Sequence, residues 1–334
     1  MVMATQRQLR SSAKTRALHT EDVLPLKKPR RAPASTEVDT EPTKTSSKKS
    51  KPSPKRVPSL IATTPVEGPQ VLHAFPELVS GQLVQRYKRF LADVKLDDGT
   101  VVTVHCPNTG PMVGLLDQPM APVQLSVSSN LTRKYKYTLE MISVDDVWIG
   151  VHSASANRMV ETALRNGWMP DVAGPDRRYT SLQAEVKHAK GSRVDFVLES
   201  VSTVDAQDVQ NIYTEVKSVT LLLPGQGNDG AAHRRAVFPD TVSTRASKHV
   251  EELIHRCAKS STDRAAIIFL VQRGDCDSFS PSMTHDPVFA ALCREASEKG
   301  VRLHAYACDL VPASRHVVLL KSLPIVHEDA GSKC

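Results

Sequence analysis

No run of apolar residues in this 334-residue chain approaches the length of a membrane helix. The longest, Ala265 to Val271, has seven residues, against the ~20 needed to cross a bilayer, so no membrane association by a spanning helix is expected. The six cysteines (Cys106, Cys257, Cys276, Cys293, Cys308 and Cys334) show no short paired spacing. That excludes a zinc knuckle or a disulfide framework and leaves them as reduced, mostly buried thiols. A Gly-rich phosphate loop and a nucleophile elbow are both missing, which removes the NTPase and α/β-hydrolase classes. Fixed-period repeats are absent too.

Aromatic residues are scarce, and none precedes Phe75. Residues 1 to 70 hold nine of the 22 prolines, fourteen basic residues and six acids, a net charge of +8, while the other 264 residues carry −1. Such a segment has too few large side chains to offset chain entropy by burial. It is expected to be a disordered basic tail, taken as residues 1–75. Its first 20 residues hold Arg7, Arg10, Lys14 and Arg16 with no acid, in the manner of an organelle transit peptide. Lys27-Lys28-Pro29-Arg30-Arg31 and the Lys48 to Arg56 stretch are basic clusters of the nuclear-import or nucleic-acid type. Organelle, nucleus and cytosol therefore all remain open as addresses.

From Gly81 to Ser155 the pattern is that of strands. Leu83 to Leu96 reads as one run ending at the hairpin signal Asp97-Asp98-Gly99, and Thr100 to Cys106 returns with β-branched residues. Pro122 to Ser128, Tyr135 to Val144 and Val147 to His152 complete five strands, the size of a small OB-like barrel, placed at 76–155. On it Arg86, Lys88 and Arg89 alternate with Tyr87 and Phe90, and Arg133, Lys134 and Lys136 with Tyr135 and Tyr137. Cations track phosphates and rings stack on bases, so this mixture suits a nucleic-acid groove. Alternatively the rings are core and the charges solvate the outer face. His105-Cys106-Pro107-Asn108-Thr109-Gly110 reads as a turn, because adjacent strand residues face opposite ways and cannot easily share one ion.

After Asn157 the period changes. Asn157 to Asn166 has helical spacing with Gly167 as its stop. Strands follow at Leu182 to Lys187, Arg193 to Leu198 and Ile212 to Thr220, running on into Leu223. Then come a helix at Thr241 to Lys259, a buried strand at Arg264 to Gln272, a helix at Asp286 to Lys299 and a strand at Val301 to Cys308. This order predicts an α/β domain, 156–312, with a mixed sheet flanked by helices, and a C-terminal extension, 313–334.

Two of these apolar strands carry charge. Asp195 should project from the face opposite Val194, Phe196 and Leu198, while Glu215 and Lys217, two apart, share a face. If the strands are neighbours, all three converge. Two carboxylates with a strand carbonyl make a hard oxygen site for Mg²⁺ or Mn²⁺, and a lysine beside them can stabilise charge on a phosphoryl group. A Glu-x-Lys strand is also a common surface salt-bridge pair.

The arrangement resembles the PD-(D/E)xK nuclease core, with Val194 where that core has proline. Glu161 on the first helix, or Glu185 on the preceding strand, stands where a further metal-binding acid is often kept; each suits a solvent-facing role equally well. More widely, RYKRFLADV (86–94), HCPNTG (105–110), RKYKYTLE (133–140), NRMVETAL (157–164), SRVDF (192–196), EVKSVT (215–220), FPDTVSTR (238–245) and KHVEEL (248–253) resemble, in order, the sugar fermentation stimulation protein A family. The resemblance implies an OB-like domain, a nuclease-like domain and DNA as partner. Two departures stand out: Ala246 replaces a usual glycine, and the tail is extra, as in a eukaryotic member.

These residues point to a metal-dependent nuclease with Asp195, Glu215 and Lys217 as catalytic residues and Arg86, Lys88, Arg89, Arg133, Lys134, Lys136 and Lys248 as nucleic-acid contacts. The alternative is a non-catalytic DNA-binding regulator linked to sugar metabolism.

Overall fold

A computed structural model describes residues 59–60, 68–189, 192–226 and 232–327. Most of the basic tail, with its transit-like and nuclear-type clusters, lies outside the described residues. Two short strands fall within the stretch assigned to it, β1 (Ser59–Leu60) and β2 (Val71–Ala74). The tail as drawn to residue 75 is thus too long: Leu72 and Phe75 are buried at 3% and 7% exposure in the α/β core.

The barrel is built from β3 (Leu78–Tyr87), β4 (Leu91–Leu96), β5 (Val101–His105), β6 (Pro122–Val127), β7 (Tyr137–Val144) and β8 (Val147–Gly150). They run in the order β5-β4-β3-β6-β7-β8, and the sheet curls until His105 of β5 meets Thr138 of β7. Leu83 to Leu96 is therefore two strands and not one. Lys88 and Arg89 both take positive φ, 49° and 63°, and reverse the chain between them. Apolar pattern alone hides such a turn, because no glycine, proline or asparagine marks it. The expected hairpin at Asp97-Asp98-Gly99 does form, with Gly99 N–H donating to the Leu96 carbonyl at 2.9 Å. A second tight hairpin uses Asp145 and Asp146, again both at positive φ; this is the primed geometry that matches strand twist. Alternate residues Ala92, Val94, Val104, Leu125, Leu139 and Ile149 close the interior completely.

The α/β domain opens with α1 (Ser155–Arg165) and a 3-10 turn at Pro170–Ala173, followed by β9 (Arg177–Ala189), β10 (Ser192–Ser202) and β11 (Val209–Val219). Next come β12 (Leu221–Gln226), β13 (Ala232–Phe238), α2 (Thr244–Lys259), β14 (Asp263–Val271), β15 (Ser278–Pro281), α3 (Pro287–Glu298), β16 (Val301–Val311) and β17 (His316–Leu323). The main sheet has the order β1-β9-β10-β11-β14-β16-β17-β2, with β11, β14 and β16 parallel and the rest antiparallel. Residues 313–334, set apart on sequence grounds as an extension, thus contain β17, which pairs with β16 on one side and β2 on the other.

β14 explains the longest apolar run. Ala266, Ile268 and Leu270 pack with α1, while Ala265, Ile267, Phe269 and Val271 pack with α2 and α3. A strand covered on both faces needs no polar alternation. Both helices on the second face begin with side-chain caps: Ser243 accepts from Ala246 N–H, and Asp286, followed by Pro287, accepts from Phe289 N–H at 3.0 Å. Such caps satisfy helix donors that otherwise lack partners. Strand β11 ends at Val219, and Leu221 starts a separate three-stranded sheet, β12-β13-β15. The expected continuation to Leu223 fails: after the last ladder bond, from Gln272 N–H to the Val219 carbonyl at 2.8 Å, the chain leaves the main sheet and Leu221 pairs with Val237 instead.

The two domains meet at backbone level. Gly150, ending β8, donates to the Gln272 carbonyl at 2.9 Å. A Cβ at Gly150 would stand 2.4 Å from Gln272 Oε1 and 3.0 Å from Leu310 Cδ2, so a larger residue there would have to displace both side chains. Cys106, Cys276, Cys293 and Cys308 are buried free thiols and Cys257 is half-buried.

Candidate active site

Adjacent strands β10 and β11 run antiparallel, and their ladder stops at Phe196 opposite Thr214. Beyond that point the strands part, and Asp195 fills the opening. Its Oδ2 accepts from Val216 N–H at 2.8 Å, and its Oδ1 accepts from Asn157 Nδ2 at 2.6 Å. Simple alternation does not hold here. Val194 belongs to the core under α2 and α3, whereas Phe196 and Leu198 belong to the core under α1. The neighbouring strand is irregular at the same level, since Glu185 adopts φ 55°. The expectation that Val194, Phe196 and Leu198 share one face is corrected accordingly.

Glu215 and Lys217 do share a face, as their spacing predicts. Lys217 Nζ donates to Glu215 Oε1 at 2.7 Å, and both side chains are nearly buried, at 10% exposure for the lysine and 7% for the acid. His249 of α2 completes the group: its Nδ1 also meets Glu215 Oε1 and stands 3.5 Å from Lys217 Nζ. The carboxylate can only accept, so the ring carries its proton on Nδ1.

The two acids are held in opposite electrostatic states. Burial, then the nearby Glu215 charge, raises the Asp195 carboxyl above its ordinary value, and the bonds from Val216 and Asn157 only partly offset this. Burial would raise Glu215 as well, but the His249 hydrogen bond and the Lys217 ammonium together bring it below its ordinary value.

The donor set suits a hard divalent cation. Two carboxylates lie close enough to repel each other, and the Val216 carbonyl points to the same strand edge as its N–H, toward Asp195. Oxygen donors of this kind fit Mg²⁺ or Mn²⁺. Among the described residues, no group of three His, Cys, Asp or Glu side chains is arranged as a metal site. The two further acids, Glu161 and Glu185, each pair with an arginine. Glu161 is clamped by Arg165 one helical turn away, at 2.5 Å, and Glu185 is exposed, 3.4 Å from Arg193. Among the described residues, no printed contact joins either acid to Asp195 or Glu215.

The barrel cations also divide. Arg86 serves structure: Nη2 donates to the carbonyls of Arg89, Asn108 and Gly110 at 2.5, 2.7 and 2.9 Å. Through that one nitrogen Arg86 holds the HCPNTG loop, while its Nε is buried without a partner. Lys88, Arg89, Arg133, Lys134 and Lys136 are exposed, with Lys134 and Lys136 over the rings of Tyr135 and Tyr137. Arg133 Nη2 lies 3.4 Å from His105 Nδ1. Of the rings, Phe90 is exposed and Tyr87, Tyr135 and Tyr137 are half-buried. Lys248 is exposed and reaches Glu252 at 3.8 Å.

Asn157 and His249 lie in the motifs NRMVETAL and KHVEEL, but nothing local marks them as site residues. Only the packing of α1 and α2 beside the opened ladder brings them to the acids.

An OB-type barrel followed by an α/β domain whose neighbouring central strands carry Asp and Glu-x-Lys defines the class of protein. Residues 84–151 match the family model described as the SfsA N-terminal OB domain, and residues 154–314 match that of the sugar fermentation stimulation protein RE domain. The sugar fermentation stimulation protein homolog of Desulfotalea psychrophila is 40% identical over 255 residues, covering 76% of this chain and 95% of its own. That of Synechocystis sp. is 42% identical over 234 residues, covering 70% and 90%. In fold, the structure of Pyrococcus furiosus SfsA in complex with Ca²⁺ superposes with a TM-score of 0.61 at 20% identity, over 77% of this chain and 99% of that one. The chain belongs to the sugar fermentation stimulation protein family.

Proposed function

We propose that this protein is a metal-dependent nuclease that binds DNA and hydrolyses its phosphodiester bonds with water. The observation that carries this reading is the meeting of Asp195, Glu215 and Lys217 at an opened strand pair, where two buried acids repel each other. A buried, uncompensated charge is costly, and a divalent cation between the acids would relieve it. The cation would polarise the phosphate and lower the pKa of a bound water. Asp195 and Glu215 would hold it with the Val216 carbonyl, and Lys217 would turn from Glu215 to the phosphoryl oxygens. His249 positions Glu215. The Pyrococcus furiosus relative is described in complex with Ca²⁺, another hard cation, in line with oxygen donors.

A second reading, a DNA-binding protein without cleavage, is favoured by one feature. Glu215 is already bonded by Lys217 and His249, so that pair is satisfied without metal. Incubating the purified chain with labelled single-stranded and duplex DNA in Mg²⁺, in Mn²⁺ and in EDTA separates the two. The nuclease reading expects cutting with metal only, lost in Asp195→Asn. A gel shift with no cutting in either metal selects the second reading.

A further inference from the structure

A cleft of about 470 Å³ opens between the barrel and the α/β domain. The barrel supplies Arg89 and the Asn108–Gly110 turn; the other wall includes Ser218, Phe238, Thr241 and Arg245. A neighbouring pocket is lined by Arg193, Arg245, Lys248 and His249. Arg245 belongs to both, and His249 of the second bonds Glu215. The cleft therefore neighbours the candidate active site by way of that second pocket, through His249, although Asp195, Glu215 and Lys217 line neither pocket.

Its charges are placed for an anion. Arg245 is exposed, and among the described residues it has no hydrogen-bond or ion-pair partner. Arg89, also exposed, donates through Nε to the Thr109 carbonyl at 3.2 Å, which leaves its terminal nitrogens for a phosphate. The acid in the lining, Asp240, is engaged by the barrel, accepting from Met112 N–H at 3.2 Å. Phe238, its ring packed against Phe269 and Phe289, adds a half-buried apolar wall to the cleft. The volume is that of a small-ligand pocket, room for one nucleotide and not for a duplex.

We infer that this cleft holds one unpaired nucleotide of a DNA strand, its phosphate between Arg89 and Arg245, while the adjoining phosphodiester lies at Asp195, Glu215 and Lys217. The enzyme acts on single strands or unpaired ends and not on intact duplex. This rests on the nuclease reading for the cutting step, but not for binding.

The test uses the full chain, in EDTA, with fluorescent oligothymidylate and a blunt duplex, followed by anisotropy across salt concentrations. Arg245→Gln and Arg89→Gln should each reduce the single-strand salt slope by roughly 0.7, the value for one phosphate contact. Thr241→Trp, an exposed position that would fill the cleft, should weaken single-strand binding at least ~10-fold, the loss of about one stacked base. All three should leave duplex binding and the melting temperature unchanged. Equal loss on both DNAs, or no loss on either, overturns the inference. Cutting in Mg²⁺ or Mn²⁺ by wild type separates the two readings. If cutting depends on Asp195 but not on Arg245 or Thr241, the cleft inference alone falls. If no cutting occurs while the single-strand effects hold, the nuclease reading alone falls.

Discussion

The barrel and the α/β domain each set charged residues into strands, and the two use them differently. On the barrel, Lys134 and Lys136 lie in solvent over half-buried tyrosines, where water screens whatever they meet. In the α/β domain, Glu215 and Lys217 are nearly buried, and Asp195 occupies a gap between strands. There Glu215 and Lys217 shift the ionisation of the acids beside them, and Asp195 takes up a backbone donor. A charged motif constrains chemistry only where burial makes its charges interact. Arg86 shows the converse: it sits in the barrel's basic motif, yet its guanidinium serves as a brace for backbone carbonyls.

The sharpest way to break this contrast is at the α/β site. Lys217→Ala should reduce metal-dependent cleavage by about 10²- to 10³-fold, the usual cost of removing one charge-stabilising donor. It should largely keep the metal-induced rise in melting temperature, which follows from binding to the folded state. Glu215→Gln should remove both. A Lys217→Ala protein with wild-type cleavage would reduce the lysine to a salt-bridge partner.

Stability tests the two acids against each other. Glu215→Gln leaves Lys217 buried without its carboxylate and should cost about 3 kcal/mol at neutral pH, read by denaturant titration. Asp195→Asn should show the opposite pH trend. Because the folded Asp195 is raised above its ordinary value of 3.8, its stabilising share is complete below that value and is lost as pH rises through the folded pKa. The amide carries no such charge but keeps only one of the two acceptors that Val216 N–H and Asn157 Nδ2 use, so beside that pH-independent cost the metal-free variant should gain on wild type as pH rises from about 4 to 7. Glu215 lies below its ordinary value of 4.5, so its contribution is present above 4.5 and fades as pH falls through the folded pKa. Opposite pH trends in the two variants would confirm that one acid is repelled and the other paired.

On the barrel, Arg86→Ala should cost about 1–3 kcal/mol, because three backbone acceptors lose a charged donor. Lys134→Ala or Lys136→Ala should stay within about 0.5 kcal/mol and act only on affinity for nucleic acid. A large stability loss at either lysine would show that its contact with tyrosine matters to the fold, against the contrast drawn above.

Much of this was legible from residue pattern alone. Period-two alternation marks β5 and β6, helical spacing marks α1 with Gly167 at its end, and the unbroken run Ala265–Val271 marks a strand buried on both faces. Glu215 and Lys217 share a face because β11 keeps regular two-residue alternation there, as its unbroken register with β14 shows. Each of these rests on local geometry, which a short stretch of chain carries within itself. Other features depend on partners distant in sequence, and only the tertiary structure decided them. The turn at Lys88 and Arg89 carries no turn-forming residue. Residues 316–323 become a strand because β16 and β2 offer edges on both sides. Asp195 departs from simple alternation because the β10–β11 ladder opens and Val216 N–H needs an acceptor. His249 reaches Glu215 across 34 residues, and Arg89 comes to face Arg245 across a cleft that exists only once the barrel has docked. Those contacts are set by how the helices and the barrel pack on the sheet, a property of the whole chain that no local spacing encodes.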